Sequence, residues 1–388
     1  MIESKFYKYI YYTYLSLLCL FVYASLDALV LHNISVYPQI VQAFSAALCF
    51  LLLFVSNKRK RNKYCSLFVW WYLAYIVLYM VTPHYDIGIV GFFRVTWFLN
   101  AFFISYICSQ RILAPTKPLI IACLVLLVIN AVFVYLNIFT GVSSVVLTTD
   151  DIVVSNIVFW SFCLLPICFL IEYPLLRNIA IAVISIICLF TMKRSAFIAL
   201  FLILAFYIYS IKHEKGKTFK FNRKYMFLSF IVISVVLFKY GEQFLEIFNR
   251  NIDRLSSIEE DRGSNRFTVW KDVINAFDNN TTIEWIFGNG MGSTLVKARH
   301  TTAHNDFLTI LFEFGLIGVT FYISFIYRMV SSTFRAWRTR SYKFMSYVSS
   351  LIILLVIGNV GDMFTCYTYL AYIMCLIGTL EGMHNNHI

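Results

Sequence analysis

Apolar runs of roughly 18 to 22 residues recur along this chain and are separated by short polar breaks. Each is long enough to cross a hydrocarbon layer about 30 Å thick as a helix rising ~1.5 Å per residue. The pattern predicts spans near residues 10–31, 39–56, 64–82, 87–109, 118–138, 152–171, 178–192, 195–211, 225–240, 304–327, 344–361 and 363–380. The seventh and eighth are short and nearly contiguous, which favours a hairpin over one long broken helix. The expected fold is therefore all-α: a polytopic integral membrane protein with about twelve transmembrane helices and one large helical loop on the outer side. Three parts follow: spans one to nine in residues 1–240, the loop in 241–303, and spans ten to twelve in 304–388.

Orientation comes from where the basic residues fall. Lys5 and Lys8, the run from Lys58 to Lys63, Arg111, Lys117, Arg177, the basic linker at 212–224, and the group from Arg328 to Lys343 occupy alternate connections. The intervening short connections at 32–38, 83–86 and 140–151 contain neither Lys nor Arg. Positive charge is retained on the cytoplasmic side, so both termini are expected there. The linker at 212–224 is read as an orientation signal and an anchor to anionic membrane lipids.

With 60% hydrophobic residues, 13% charged residues and a mean hydropathy of +0.75, the chain is not a soluble domain, a disordered chain or a secreted disulfide scaffold. The net charge of +12 is accounted for by topology, so nucleic acid is not an expected partner. Ten cysteines lack the paired spacing of a zinc site, and nearly all lie in apolar runs as small hydrophobes. The first apolar run is too long for a signal peptide's core and is expected to remain as a span.

The loop carries two helical patterns. Phe244, Phe248, Ile252 and Leu255 define an amphipathic helix over 242–258. A second helix is expected from an N-cap at Ser264 to Phe277, burying Phe267, Trp270, Ile274 and Phe277. Arg262 and Arg266 flank its start, where the helix dipole disfavours cations unless an anion is bound; the competing reading is a solvated pair balanced by Glu259, Glu260 and Asp261. Further on, Gly288, Gly290 and Gly292 alternate, which permits a tight reversal or a close backbone approach to a ligand, a plain turn being the default.

Other charges run against the sorting rule. Lys193 and Arg194 occupy the outer turn between spans seven and eight, where they serve either lipid head groups or a fixed anion site. Arg94 lies inside the fourth span and is expected either in an ion pair with Asp27, Asp86 or Asp362 or against a ligand. At the start of the tenth span stand His304, Asn305 and Asp306, followed by Gly315 and Gly318, whose small size admits a neighbouring helix. Glu313 follows His304 by about 13 Å of helical rise, so it is expected within the bilayer, paired or protonated.

The His304-Asn305 pair followed by Glu313, Gly315 and Gly318 resembles the O-antigen polymerase and ligase family of bacterial envelopes. The turn at 191–196, the Arg266-to-Trp270 spacing and the glycines at 288–292 agree with that resemblance in order. It implies a glycosyltransferase of the bacterial inner membrane that joins sugar chains carried on undecaprenyl diphosphate at the periplasmic face. A polymerase hands the growing chain to another lipid-linked repeat unit, and a ligase hands it to the lipid A core; residues 285–293 lean towards the polymerase. A flippase for the same lipid-linked sugar is the alternative from another class, although its site would be expected near mid-membrane between internal repeats. Expected partners are the undecaprenyl-diphosphate-linked oligosaccharide, a chain-length regulator protein and a flippase.

Transfer from a lipid diphosphate needs a base for the acceptor hydroxyl and positive charge on the departing group. His304 is the expected base, with Glu313 and Asp306 as substitutes and Asn305 as an orienting group. Arg194 and Arg266, with Lys193, Arg262 and Arg94, are the expected diphosphate ligands, because guanidinium groups bind phosphate oxygens in pairs. No carboxylate cluster points to a metal, so a metal-independent reaction without a cofactor is expected.

Overall fold

The computed structural model describes residues 2–30, 37–55, 63–83, 85, 88–139, 158–191, 193–213, 266–299, 303–361, 363–364 and 367–384. Every regular element among them is a helix: α1 (Ile2–Val30), α2 (Tyr37–Val55), α3 (Lys63–Val81), α4 (Gly88–Ser109), α5 (Thr116–Phe139), α6 (Val158–Phe162), α7 (Leu165–Cys168), α8 (Pro174–Phe190) and α9 (Arg194–His213). After the gap come α10 (Arg266–Phe277), α11 (Thr282–Phe287), α12 (Ser293–Lys297), α13 (Asp306–Arg338), α14 (Phe344–Val360) and α15 (Tyr367–His384). Seven of these are long and apolar enough to cross a membrane, and four shorter apolar stretches correspond to the sixth, seventh, eleventh and twelfth expected spans. The protein is a multi-pass membrane protein. The expected span at 225–240 and the amphipathic helix at 242–258 lie outside the described residues.

The sixth span departs from expectation. A straight helix was predicted, but the described part is two short pieces, α6 and α7, joined by a turn at Cys163 and Leu164. Pro166 opens the second piece, where its missing N–H is tolerated and where a continuous ladder would have been interrupted. Spans seven and eight are separate helices, divided after Phe190.

At the centre, α4 packs against α15. Gly378 and Gly382, four residues apart, bring α15 against the α4 backbone: a Cβ at Gly378 would lie 2.5 Å from the Phe102 carbonyl, and one at Gly382 2.6 Å from that of Tyr106. Phe68, Trp71, Phe98, Phe325 and Phe364 interlock beside this pair, and Trp71 stacks on Phe364 at 5.9 Å. Every described cysteine except Cys19 is buried.

Polar locks fasten both ends of the bundle. At one end Glu381 of α15 accepts from the Tyr347 hydroxyl at 2.7 Å, while Tyr64 of α3 donates to Ser332 of α13 at 3.0 Å. At the other, the buried Asp306 carboxylate accepts from the backbone N–H groups of Met363, at 2.9 Å, and Phe364, at 3.0 Å. Asn305 donates to the Asn359 carbonyl at 3.2 Å. The start of α13 is thereby pinned to the connection between α14 and α15.

Candidate active site

The site is built around the first nine residues of α13. Asn305 caps this helix, its side-chain oxygen accepting from the Leu308 N–H at 3.1 Å. The helix then breaks at Gly315, whose φ of 61° and ψ of −161° belong to a region that glycine alone enters cheaply. A break of this kind strands the carbonyls one turn earlier. They are satisfied from the loop: Asn289 donates its backbone N–H to Phe312 O at 2.9 Å and its side-chain amide to the same oxygen at 3.2 Å, and Gly290 N–H reaches Glu313 O at 3.1 Å.

This joint requires an approach of backbone to backbone. A Cβ on Gly315 would lie 2.5 Å from both Gly288 N and Ile286 O, and one on Gly288 would collide with the Glu313 carbonyl. Gly290 presses in the same way on the carbonyl of Pro83, at the end of α3. The expectation that these glycines admit another helix holds at Gly315 and not among the nearest contacts of Gly318. Gly315 receives the end of α11, and the nearest contacts of Gly318 are Phe314 and Ile310 of its own helix.

Side chains brace the joint. Thr281 and Glu284 form a reciprocal capping box at the start of α11. Lys297 of α12 binds Glu284 at 2.7 Å and also donates to the Asn289 side chain. The Lys297 hydrogen bond, helped by the Thr281 backbone N–H, holds the Glu284 carboxyl down at about 2. Thr294 donates to the buried Glu313 carboxylate at 2.9 Å. Glu313 thus finds partners in the loop, and it belongs to a helical segment that ends at the Gly315 break.

Asp306 is corrected from substitute base to structural anchor, since its fully buried carboxylate is committed to two backbone N–H groups. Asn305 caps α13 and bonds to the Asn359 carbonyl. His304, between the buried Ala303 and this cap, is exposed and adopts a left-handed φ of 49°. Ala303 is itself held by its N–H to Thr309 Oγ1 at 3.1 Å. The imidazole is thus exposed on a residue whose neighbours on both sides are held by hydrogen bonds.

Arg194 is the first residue of α9 and is half-buried, as is Lys193 before it. The preceding α8 is closed by buried Thr191, whose hydroxyl donates to Ile187 O at 3.0 Å. Arg266, also half-buried, is the first residue of α10. Arg194 thus opens a helix, at the end where the dipole favours anions, and Arg266 is the first described residue of α10. Both α9 and α13 pack along α14, whose last turn accepts the bond from Asn305. Arg94 is exposed on α4. Arg262, Ser264, Asp86 and Asp362 lie outside those residues.

The second loop helix buries Phe277 as expected, but the rest of its buried stripe is turned. Val273 and Phe277 are buried, whereas Phe267 and Ile274 are 58% and 51% exposed and Trp270 is half-buried. The buried stripe is turned because the helix rests one edge on Phe312 of α13, with the Phe277 and Phe312 rings 5.0 Å apart. Asn289, Thr294, Lys297 and Glu284 were not singled out from sequence, although the Thr-x-x-Glu capping pattern was legible there.

Residues 179–323 match the family model described as O-Antigen ligase. The match covers less than half of the chain, from α8 through the loop helices into α13, and contains Lys193, Arg194, Arg266, the glycine turn, His304 and Glu313. A search of curated proteins finds no match.

Proposed function

Proceeding from this match to the O-antigen polymerase and ligase family, we propose that the protein is a polymerase: a glycosyltransferase that moves a growing glycan from undecaprenyl diphosphate to a lipid-linked repeat unit at the periplasmic face. The observation that carries the reading is His304, an exposed imidazole on a left-handed residue, fixed between a bonded Ala303 and the helix cap Asn305 within the matched stretch. In the proposed reaction the acceptor hydroxyl gives its proton to the His304 imidazole while its oxygen forms a bond to the anomeric carbon. The bond from that carbon to the diphosphate oxygen breaks, and the electron pair leaves with the diphosphate. Arg194 and Arg266, supported by Lys193 and Arg94, take up that charge. Displacement from the opposite side inverts the anomeric centre.

Glu313 and the glycines at 288 and 290 serve in this reading as scaffold. They fix the segment that ends at Gly315, and with it the position of His304. The description of the matched family names the ligase, so the acceptor is the point to test. Purified protein in proteoliposomes is given lipid-linked repeat units alone, or with lipid A core. The polymerase reading expects elongation without core and loss of elongation in His304→Ala. Transfer that requires the core makes the protein a ligase, and leaflet transfer without elongation makes it a flippase.

A further inference from the structure

Two helices act as rulers for the depth of the glycine joint. Tyr64, next to Lys63 at the start of α3, donates to Ser332 of α13 at 3.0 Å, and Arg335 follows Ser332 by one turn. This contact marks the basic edge of the bundle; Arg328, one turn inside it, is half-buried and long enough to reach that edge. From Tyr64 to Val81, α3 rises about 26 Å, and Pro83 just beyond it meets Gly290. From Ser332 back to Gly315, α13 also rises about 26 Å. Both lengths nearly fill a hydrocarbon layer about 30 Å thick, so the joint lies at the layer's far edge.

Two contacts hold the loop helices at this level: the backbone of Ile286 abuts Gly315, and Thr294 donates to Glu313, two residues before the break. Beside these contacts the side chains are aliphatic and exposed. Ile283 and Ile286 share one face of α11, and Leu295 and Val296 follow Thr294 on α12; Ile283 is 69% exposed and Leu295 50%. Met80 and Val81 at the end of α3 and Leu316 after the break are exposed in the same way, so the lipid-facing rows of two spans lead up to the loop helices where they touch. Trp285, a residue type that gathers at membrane edges, stands between Ile283 and Ile286 in the sequence. Water disfavours such a group of side chains, whereas acyl chains begin at this depth. We propose that α11 and α12 are seated in the bilayer surface, with Ile283, Ile286, Leu295 and Val296 among the phospholipid acyl chains of the adjoining leaflet. The membrane is then a further support of the joint, beside the glycine contacts and the Lys297 brace, and this holds whatever the reaction.

The test uses the full chain, a single copy in each nanodisc, with two paramagnetic probes read by isoleucine-methyl NMR. One is a phosphatidylcholine carrying doxyl groups along its acyl chains, and the other is a gadolinium chelate in the water. Ile283→Val and Ile286→Val identify the two signals. Ile323, exposed farther along α13, is the lipid-facing reference, and the buried Ile310 is the protected one. The Ile283 and Ile286 signals should be lost together with that of Ile323 to the lipid probe, and should persist with that of Ile310 beside the chelate. Loss to the chelate puts these side chains in water, and persistence beside both probes puts them under another part of the chain; either result overturns the seating. No step of the reaction enters the measurement, so its outcome is separate from that of His304→Ala.

Discussion

Replacing Gly288 by alanine tests whether the glycine turn and the broken helix form one rigid joint. The native φ of 83° and ψ of 172° lie in a region that costs a residue with a side chain about 1–3 kcal/mol. The added methyl meets the Glu313 carbonyl, which is backbone and cannot swing aside, so overpacking adds about 1–3 kcal/mol. Relief by separation forfeits the bonds from Asn289 to Phe312 O and from Gly290 to Glu313 O, about 1 kcal/mol each. Any of these routes costs about 2–6 kcal/mol in total, enough to raise the open population of the joint by about thirtyfold or more. Gly292→Ala provides the internal control, because its φ of 78° and ψ of 5° cost an ordinary residue only about 1–2 kcal/mol. Hydrogen exchange on protein in nanodiscs reads the result at the amides of Asn289 and Gly290. Gly288→Ala should strip their protection and lower elongation activity, since the segment that positions His304 loses its brace. Native protection and activity in Gly288→Ala would refute the joint.

Arg194→Lys keeps the charge but loses the paired hydrogen bonds, and elongation should fall by about 10²-fold; near-normal turnover would reduce Arg194 to a lipid anchor. Asp306→Ala leaves two buried backbone N–H groups without their carboxylate, and the melting temperature of solubilised protein should report a loss of about 2–5 kcal/mol. A drop of less than 1 °C would contradict the anchor role. Glu284 titrates near 2 in the folded protein, below its ordinary 4.5, so its contribution is complete above the ordinary value and is lost as pH falls through about 2. Glu284→Gln should flatten stability against pH across that window, and an acid limb identical to wild type would count against the Lys297 bridge.

Spacing of apolar residues was sufficient to locate most of the spans, because burial in lipid depends on length and composition alone. The same criterion is blind to hydrogen bonding, so it passed over the interruption before Pro166. The alternating glycines were read as a tight reversal or an approach to a ligand, and Gly288 and Gly290 approach the protein's own backbone instead. What they approach was not legible: Gly315 reads as a helix-packing residue until the carbonyls it strands are found bonded to residues more than twenty positions earlier. Asp306 looked like a base by residue type alone, and its role is set by Met363 and Phe364, over fifty residues later. On the loop helix Phe277 was read correctly as buried and Phe267 and Ile274 were not, since Phe312 supplies the surface on which it rests. Local signals identified the polar residues with chemistry to offer, and long-range contacts decided which of them are structural.

The central claim is that the imidazole of His304 and the guanidinium groups of Arg194 and Arg266 address one lipid-linked substrate. A cryo-electron microscopy structure of His304→Ala protein in nanodiscs with the lipid-linked repeat unit tests it most directly. The account predicts a diphosphate held by Arg194 and Arg266, with its first sugar facing position 304. A diphosphate seated elsewhere, with the two arginines in separate environments, would contradict it.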